Sequence, residues 1–311
     1  MKVIETEGLT KVYKGGQKPA VDSLDLQIEG GELFGFLGPN GAGKSTTIRM
    51  LMTLLRASTG RAFVRGYDVQ IKPLEAMQQV GFVPENPGFY HNLTGRQHLN
   101  YWAELYGLDR SALATRIKKL LERVGLFEAR DKLAKDYSLG MKRRLALAGA
   151  LLPDPQLLIL DEPSLGLDPQ GMAFVRSLLV ELHQEGRTIF LSSHFLGEVE
   201  RLCTKVGLLS KGKLIRVDTP RAISQSVSDA SELEIETKGV GLTIVEILRK
   251  IEGVSRVELD RTLLRISGAL TEELIAEINR VLIVNGVSII SSRRQEHSLE
   301  DAFLSLTKGE V

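Results

Sequence analysis

The stretch that most constrains this chain is residues 38–46, Gly38-Pro39-Asn40-Gly41-Ala42-Gly43-Lys44-Ser45-Thr46. It follows the pattern G-x-x-x-x-G-K-S, and its flanks are those the pattern needs. Leu33–Leu37 (LFGFL) reads as a short buried strand entering the loop, and TTIRMLMTLL, Thr46 to Leu55, reads as a helix leaving it. Glycines let the backbone turn tightly and aim its N–H groups inward at phosphate oxygens. The helix N-terminus adds partial positive charge at the same point. Lys44 is then expected to reach the β- and γ-phosphates, and the Ser45 hydroxyl to bind Mg²⁺. An ordinary Gly-rich turn explains this many matching positions poorly.

Composition sets the bounds. A chain of 311 residues exceeds one typical core, which predicts two domains. Forty basic side chains face 39 acidic ones, so bulk charge gives no reason to expect nucleic-acid binding. The single Cys203 excludes an internal disulfide and reads as a buried thiol. No run approaches about 18 apolar residues, and MKVIETEGLTKVYKG lacks the apolar centre of a signal peptide. Any membrane partner is therefore expected to be another polypeptide.

The order of elements predicts an α/β fold. Residues 2–6 and 24–28 read as strands of an antiparallel edge, and 61–64 and 80–84 as further short strands, the last ended by Pro84. From about residue 86 to 152 the apolar spacing turns helical, over 94–106, 111–124 and 139–152, with no strand among them. Leu157–Leu160 is a continuous apolar strand suited to a parallel sheet. A helix over 170–184, a strand over 188–191 and a helix over 195–202 continue a doubly wound core. The first domain is expected over 1–220, a polar linker over 221–231, and a second domain over 232–311. Its order βαββαβ is that of a ferredoxin-like α+β fold.

Four further motifs bear on chemistry. Strand 157–160 runs into Asp161-Glu162-Pro163. Such a strand can carry Asp161 to the phosphate loop, where it can hold Mg²⁺, and Glu162 can polarise an attacking water. Tyr137-Ser138-Leu139-Gly140-Met141 opens a helix; Ser138 and the Gly140 N–H can bind phosphate, and a plain N-cap is the alternative favoured in isolation. Ser164–Asp168 follows the paired carboxylates directly. His194 ends a core strand, at the edge where ligands of such sheets sit, and can bond a γ-phosphate or the attacking water.

With these motifs in order, residues 1–220 resemble an ATP-binding cassette (ABC) ATPase. The resemblance implies that Tyr13 stacks on adenine and that residues 38–46 are the Walker A loop. It makes 157–162 the Walker B strand with catalytic Glu162, 137–141 the signature and 164–168 the D-loop, with Asp168. His194 becomes the switch histidine and Glu85 the Q-loop position. Two departures stand out. The signature usually reads LSGGQ and here reads YSLGM, so Leu139 replaces a glycine and Met141 a glutamine. Glu85 stands where most cassettes carry glutamine; a carboxylate can still ligate Mg²⁺, and E85Q is expected to keep much of the ATPase activity. Both departures, the extra domain and the ending Leu299–Leu304 resemble the ATPase subunits of ABC-2-type exporters, which serve drug, antibiotic, sodium and polymer efflux.

The resemblance implies ATP and Mg²⁺ as cofactors, a separate permease, and a second copy of the chain, since one chain holds one copy of each motif. It implies a cytoplasmic protein held at the inner membrane face through that permease. The helical insert, with Pro87–His91 exposing aromatics, is expected either to line a groove for the permease or to bury Phe89 and Tyr90 in its own core. A soluble ABC ATPase acting on ribosomes or chromosomes is the other function class; this chain lacks the paired cassettes or long coiled coils of such members.

Overall fold

The computed structural model describes residues 1–311 apart from 110, 227–230, 239–240, 269, 296–297 and 309–311, and the side chains of 231, 232, 242, 295 and 308. The chain divides into two compact units, Met1–Pro220 and Arg221–Val311.

The first unit begins with β1 (Lys2–Lys11) and β2 (Val21–Glu29), then β3 (Leu33–Leu37), α1 (Lys44–Leu51), β4 (Thr59–Val64), β5 (Tyr67–Asp68), α2 (Pro73–Met77) and β6 (Val80–Val83). Helices α3 (Gly95–Leu105), α4 (Leu113–Arg123) and α5 (Leu139–Leu151) follow without an intervening strand. The unit closes with β7 (Leu157–Asp161), α6 (Pro169–Gln184), β8 (Thr188–Ser193), α7 (Leu196–Leu202), β9 (Lys205–Ser210) and β10 (Lys213–Asp218).

Two sheets result. The outer strands form an antiparallel sheet of their own, β2-β1-β4-β5. Its inward positions alternate along β2 (Val21, Leu24, Leu26 and Ile28 are buried), as a half-solvated sheet requires. The second sheet has the order β10-β9-β3-β8-β7-β6, parallel throughout except for β10. Strands β3 and β7 are buried at every residue, which accounts for their unbroken apolar runs. One core fills the space between the sheets. It joins Ile4 and Leu26 to Phe36, Ile159 and Phe190 through Ile48 and Leu51 of α1. The loop that begins α1 is thereby fixed from both sides.

The three insert helices pack on each other and on the sheet. At Gly149 of α5 an added Cβ would lie 2.6 Å from the Trp102 ring of α3, so only glycine lets these helices approach as they do. Thr94 caps α3 through a capping box with Gln97, two reciprocal bonds that satisfy the first N–H groups.

Of the segment expected as a linker over 221–231, the first five residues are helical. Helix α8 runs Pro220–Gln225, with Ile223 fully buried. Proline at a first helical position and an apolar Ala222-Ile223 pair explain it; the polar flanks masked that signal. Residues 227–230 of the expected linker lie outside the described residues.

The second unit contains β11 (Ser231–Lys238), α9 (Leu242–Leu248), β12 (Val254–Asp260), β13 (Leu263–Gly268), α10 (Glu272–Val284), β14 (Ser288–Gln295) and α11 (Leu299–Lys308). Its antiparallel sheet has the order β12-β13-β11-β14, the arrangement that a βαββαβ chain adopts in a ferredoxin-like fold. Leu233, Ile235, Leu264 and Ile266 on the strands close on Leu248, Ile278 and Leu282 on the helices.

Candidate active site

The loop 38–44 leaves β3 and turns into α1 in a shape only glycine permits. Gly43 has φ 108°, and a Cβ there would lie 2.4 Å from the Ala20 carbonyl. A Cβ at Gly38 would lie 2.3 Å from the Leu209 carbonyl. Gly43 is the N-cap of α1 and offers no side-chain cap, so the first N–H groups of the helix keep their donor capacity for an anion.

A cleft of about 520 Å³ opens over this loop, lined by residues 39–46 together with Glu85, Glu162 and His194. Lys44 is nearly buried. Its Nζ donates to the carbonyls of Gly38 at 2.6 Å and Pro39 at 3.2 Å and lies 3.4 Å from Glu162 Oε1. The other Glu162 oxygen, Oε2, is 2.9 Å from His194 Nδ1. Glu162 thus lies between a lysine and an imidazole, on a backbone with φ 49°, uncommon for a residue with a Cβ. Strand β7 ends at Asp161, and the turn there lets two consecutive carboxylates reach two consecutive residues of the phosphate loop, Asp161 at Ser45 and Glu162 at Lys44.

Asp161 Oδ1 accepts from Ser45 Oγ at 3.2 Å and from Ser192 Oγ at 2.6 Å. Ser192 Oγ also accepts from the Glu162 N–H at 3.0 Å. One fully buried hydroxyl therefore fixes both acidic residues. Ser192 is not among the residues expected from the sequence; the trace it leaves is the first of two serines that end the apolar run Ile189–Leu191 before His194. The oxygen set of Ser45, Asp161 and Glu85 suits a hard divalent cation. Among the described residues no cluster of three carboxylates, histidines or cysteines forms a cage by itself. Mg²⁺ bound through one or two carboxylates plus substrate phosphates needs no such cage.

Tyr13 lies beyond the loop. It is 42% exposed, its hydroxyl is 3.2 Å from Thr46 Oγ1, and Lys11 sits over its ring. An exposed ring face beside the phosphate loop can take a planar base.

Ser138, Gly140 and Asp168 are not in the cleft lining. Ser138 caps α5, its Oγ accepting from the Met141 N–H at 3.2 Å. Asp168 caps α6 in the same way through Gly171. The two turns touch each other: a Cβ at Gly166 would lie 2.8 Å from Leu139, whose side chain is 53% exposed.

The aromatics after Glu85 divide between the two expected roles. Phe89 packs on His98 and Trp102 within the insert. Tyr90 is exposed and stacks edge-on against Tyr101. His98 is fully buried, its Nε2 accepting from the Tyr90 N–H and its Nδ1 facing the Thr94 carbonyl. The ring is therefore neutral, with its proton on Nδ1, and burial pushes its pKa down.

Comparison with known proteins gives this geometry its family. The ABC transporter family profile matches residues 21–165. The chain is 33% identical to the linearmycin resistance ATP-binding protein LnrL of Bacillus subtilis (strain 168), over 98% of each chain. It is 36% identical to the bacitracin transport ATP-binding protein BcrA of Bacillus licheniformis, over 99% of this chain and 98% of that one. It is 35% identical to the daunorubicin resistance ATP-binding protein DrrA2 of Streptomyces coeruleorubidus, over 98% and 94%. Among solved structures, an ATP-binding subunit of an ABC transporter superposes with a TM-score of 0.66 at 30% identity, over 72% of this chain and 92% of that one. CbiO1 from Clostridium perfringens, part of the ABC transporter complex cbiONQ, gives 0.65 at 29% identity, over 71% and 90%. On its sequence and its fold, the chain belongs to the ABC transporter family, as one of its ATP-binding, ATP-hydrolysing subunits.

Proposed function

We propose that this subunit drives export of an antibiotic or drug through a permease on a separate chain, with two copies of the subunit closing around ATP. The observation that carries the reading is the division of the motifs. Lys44, Ser45, Glu162 and His194 line one cleft, with Asp161 on the Ser45 hydroxyl, whereas Ser138 and Gly140 lie outside it on the end of α5. A complete site then needs the Ser138 turn of a second copy, and an isologous pair supplies it twice.

In this reading the triphosphate takes the place that the loop carbonyls and Glu162 now hold at Lys44. The N–H groups of residues 41–46 and the α1 N-terminus bind its β- and γ-phosphates. Ser45, Asp161 and the Glu85 carboxylate would hold Mg²⁺, which would supply positive charge beside the phosphates. Glu162 accepts the proton of the attacking water, His194 keeps that carboxylate aimed, and Tyr13 stacks on the base. Loss of the γ-phosphate removes the link between Lys44 of one copy and Ser138 of the other, and the pair opens. Among the described residues no helix is long and apolar enough to cross a membrane. In this reading the permease holds the subunit at the membrane, with the exposed Tyr90 and Tyr101 as its contact on the insert.

The reading is tested by co-expressing the chain with and without its partner permease and following both the membrane fraction and drug tolerance. Recovery in membranes and raised tolerance only with the permease, lost again in E162Q, is the expected result. Membrane recovery independent of any permease would refute it.

A further inference from the structure

Arg143 stands near the start of α5 and takes no part in the chemistry described so far. It is 3% exposed. One of its terminal nitrogens, Nη1, donates to the carbonyls of Pro84 at 3.2 Å and Glu85 at 2.9 Å. Its Nε is buried without a hydrogen-bond partner among the described residues. Burial works against the guanidinium charge, and the carboxylates of Glu85, Asp161 and Glu162 support it, Glu85 the most.

Two consequences follow from this placement. A buried cation held by two carbonyls needs nearby negative charge, and the acidic cleft wall supplies it. Conversely, Glu85 and Glu162 on the cleft lining, with Asp161 behind Ser45, add negative charge beside a triphosphate, and a buried cation behind that wall reduces the repulsion. The contact is also mechanical. Pro84 and Glu85 leave β6, while α5 runs from the Ser138 cap to a close approach under that strand, where a Cβ at Gly81 would lie 2.4 Å from the Ala150 carbonyl. Arg143 therefore fastens the cleft wall to the helix whose tip carries Ser138.

We infer that Arg143 is a positioning residue for ATP hydrolysis: its charge makes a glutamate workable at position 85, and the pair keeps the cleft wall and the Ser138 end of α5 in register. The inference deepens the ATP-hydrolysis reading and rests on it.

The test is a charge cycle on the full-length protein, with steady-state MgATP hydrolysis of R143Q, R143K, E85Q and the double variant E85Q/R143Q, and E162Q as the control for the underlying reading. R143Q is expected to lower kcat about tenfold or more, because it leaves Glu85 uncompensated behind the phosphates. E85Q costs a few-fold, and the double variant recovers to within about threefold of E85Q. Equal losses in R143Q and the double variant would make Arg143 a structural tie to two carbonyls and overturn the inference. If R143Q does not fold, R143K carries the test: it keeps the charge without the planar fork and should stay within about threefold of wild type. A tenfold loss in R143K would overturn the charge role. E162Q separates the two levels: with hydrolysis gone in E162Q but no rescue in the double variant, only this inference fails, whereas an active E162Q removes the reading beneath it.

Discussion

Two helix N-termini of the first unit, those of α1 and α5, are finished differently. Helix α1 starts at Gly43, in left-handed backbone, with no side chain on its first N–H groups. Helix α5 starts at Ser138, whose own Oγ accepts from the Met141 N–H. The first leaves its N–H groups without a side-chain partner beside a nearly buried lysine. The second is a satisfied helix end that stands outside the cleft. Free N–H groups and a buried lysine make a strong site within one chain. A serine cap can contribute only when another molecule brings a phosphate to it, and its O–H can then donate to that phosphate while its oxygen still accepts from the Met141 N–H.

The comparison can be broken most severely at Lys44. K44A removes the one positive side chain inside the loop, and ATP affinity is expected to fall about a hundredfold or more, in the range for losing a preorganised donor to developing charge. Unchanged nucleotide binding by calorimetry would mean that α1 does not hold the triphosphate.

A smaller effect is expected at Ser138. S138A should cost about 1 kcal/mol of stability through the lost cap. It should also slow hydrolysis by about tenfold while the ATP affinity of the separated subunit stays within twofold, because the hydroxyl acts only across a pair. An equal loss of ATP affinity and turnover would place Ser138 in its own cleft and end the distinction between the two termini.

The smallest effect belongs to a third helix end, that of α3, where the His98 Nδ1 faces the Thr94 carbonyl. Burial holds the His98 pKa below its ordinary 6.5. The unfolded chain then binds this proton at higher pH than the folded chain does. The contribution is fully present above 6.5 and is lost as the pH falls through 6.5 toward the lower folded value. Chemical denaturation at pH 7 and pH 5 should show a stability drop that H98Q reduces. A larger drop in H98Q would contradict the neutral, buried assignment.

The two termini also differ in how far the sequence discloses them. The phosphate loop was legible because its chemistry requires glycines, a lysine and a serine at fixed spacing, flanked by strand and helix; β3 forms where that pattern puts it, and α1 begins two residues before the expected Thr46 and ends at Leu51, short of the expected Leu55. Strand β7 was legible for a similar reason, since every residue of it is buried. Ser138 was legible as a cap, but its distance from the cleft depends on how the insert packs, through contacts such as Gly149 against Trp102. Ser192 and Arg143 were not legible. One is a serine in an apolar strand and the other an arginine in a basic run, and their meaning comes from partners far along the chain, Asp161 and the Pro84–Glu85 carbonyls. Helix α8 was read as linker because its polar flanks outweigh the two apolar residues that hold it.

The central claim is that a cleft complete for binding in one chain becomes complete for hydrolysis only when a second chain closes on it. Glu162 tests this directly, because E162Q keeps the side-chain volume and removes the carboxylate between Lys44 and His194. Size-exclusion chromatography of E162Q with saturating MgATP, beside its turnover rate, is the measurement. The account predicts turnover slowed by about a hundredfold to ten-thousandfold, the range of a positioned general base, and a dimer that persists with ATP and dissolves without it. An E162Q protein that hydrolyses ATP near the wild-type rate, or that stays monomeric with MgATP, would contradict it.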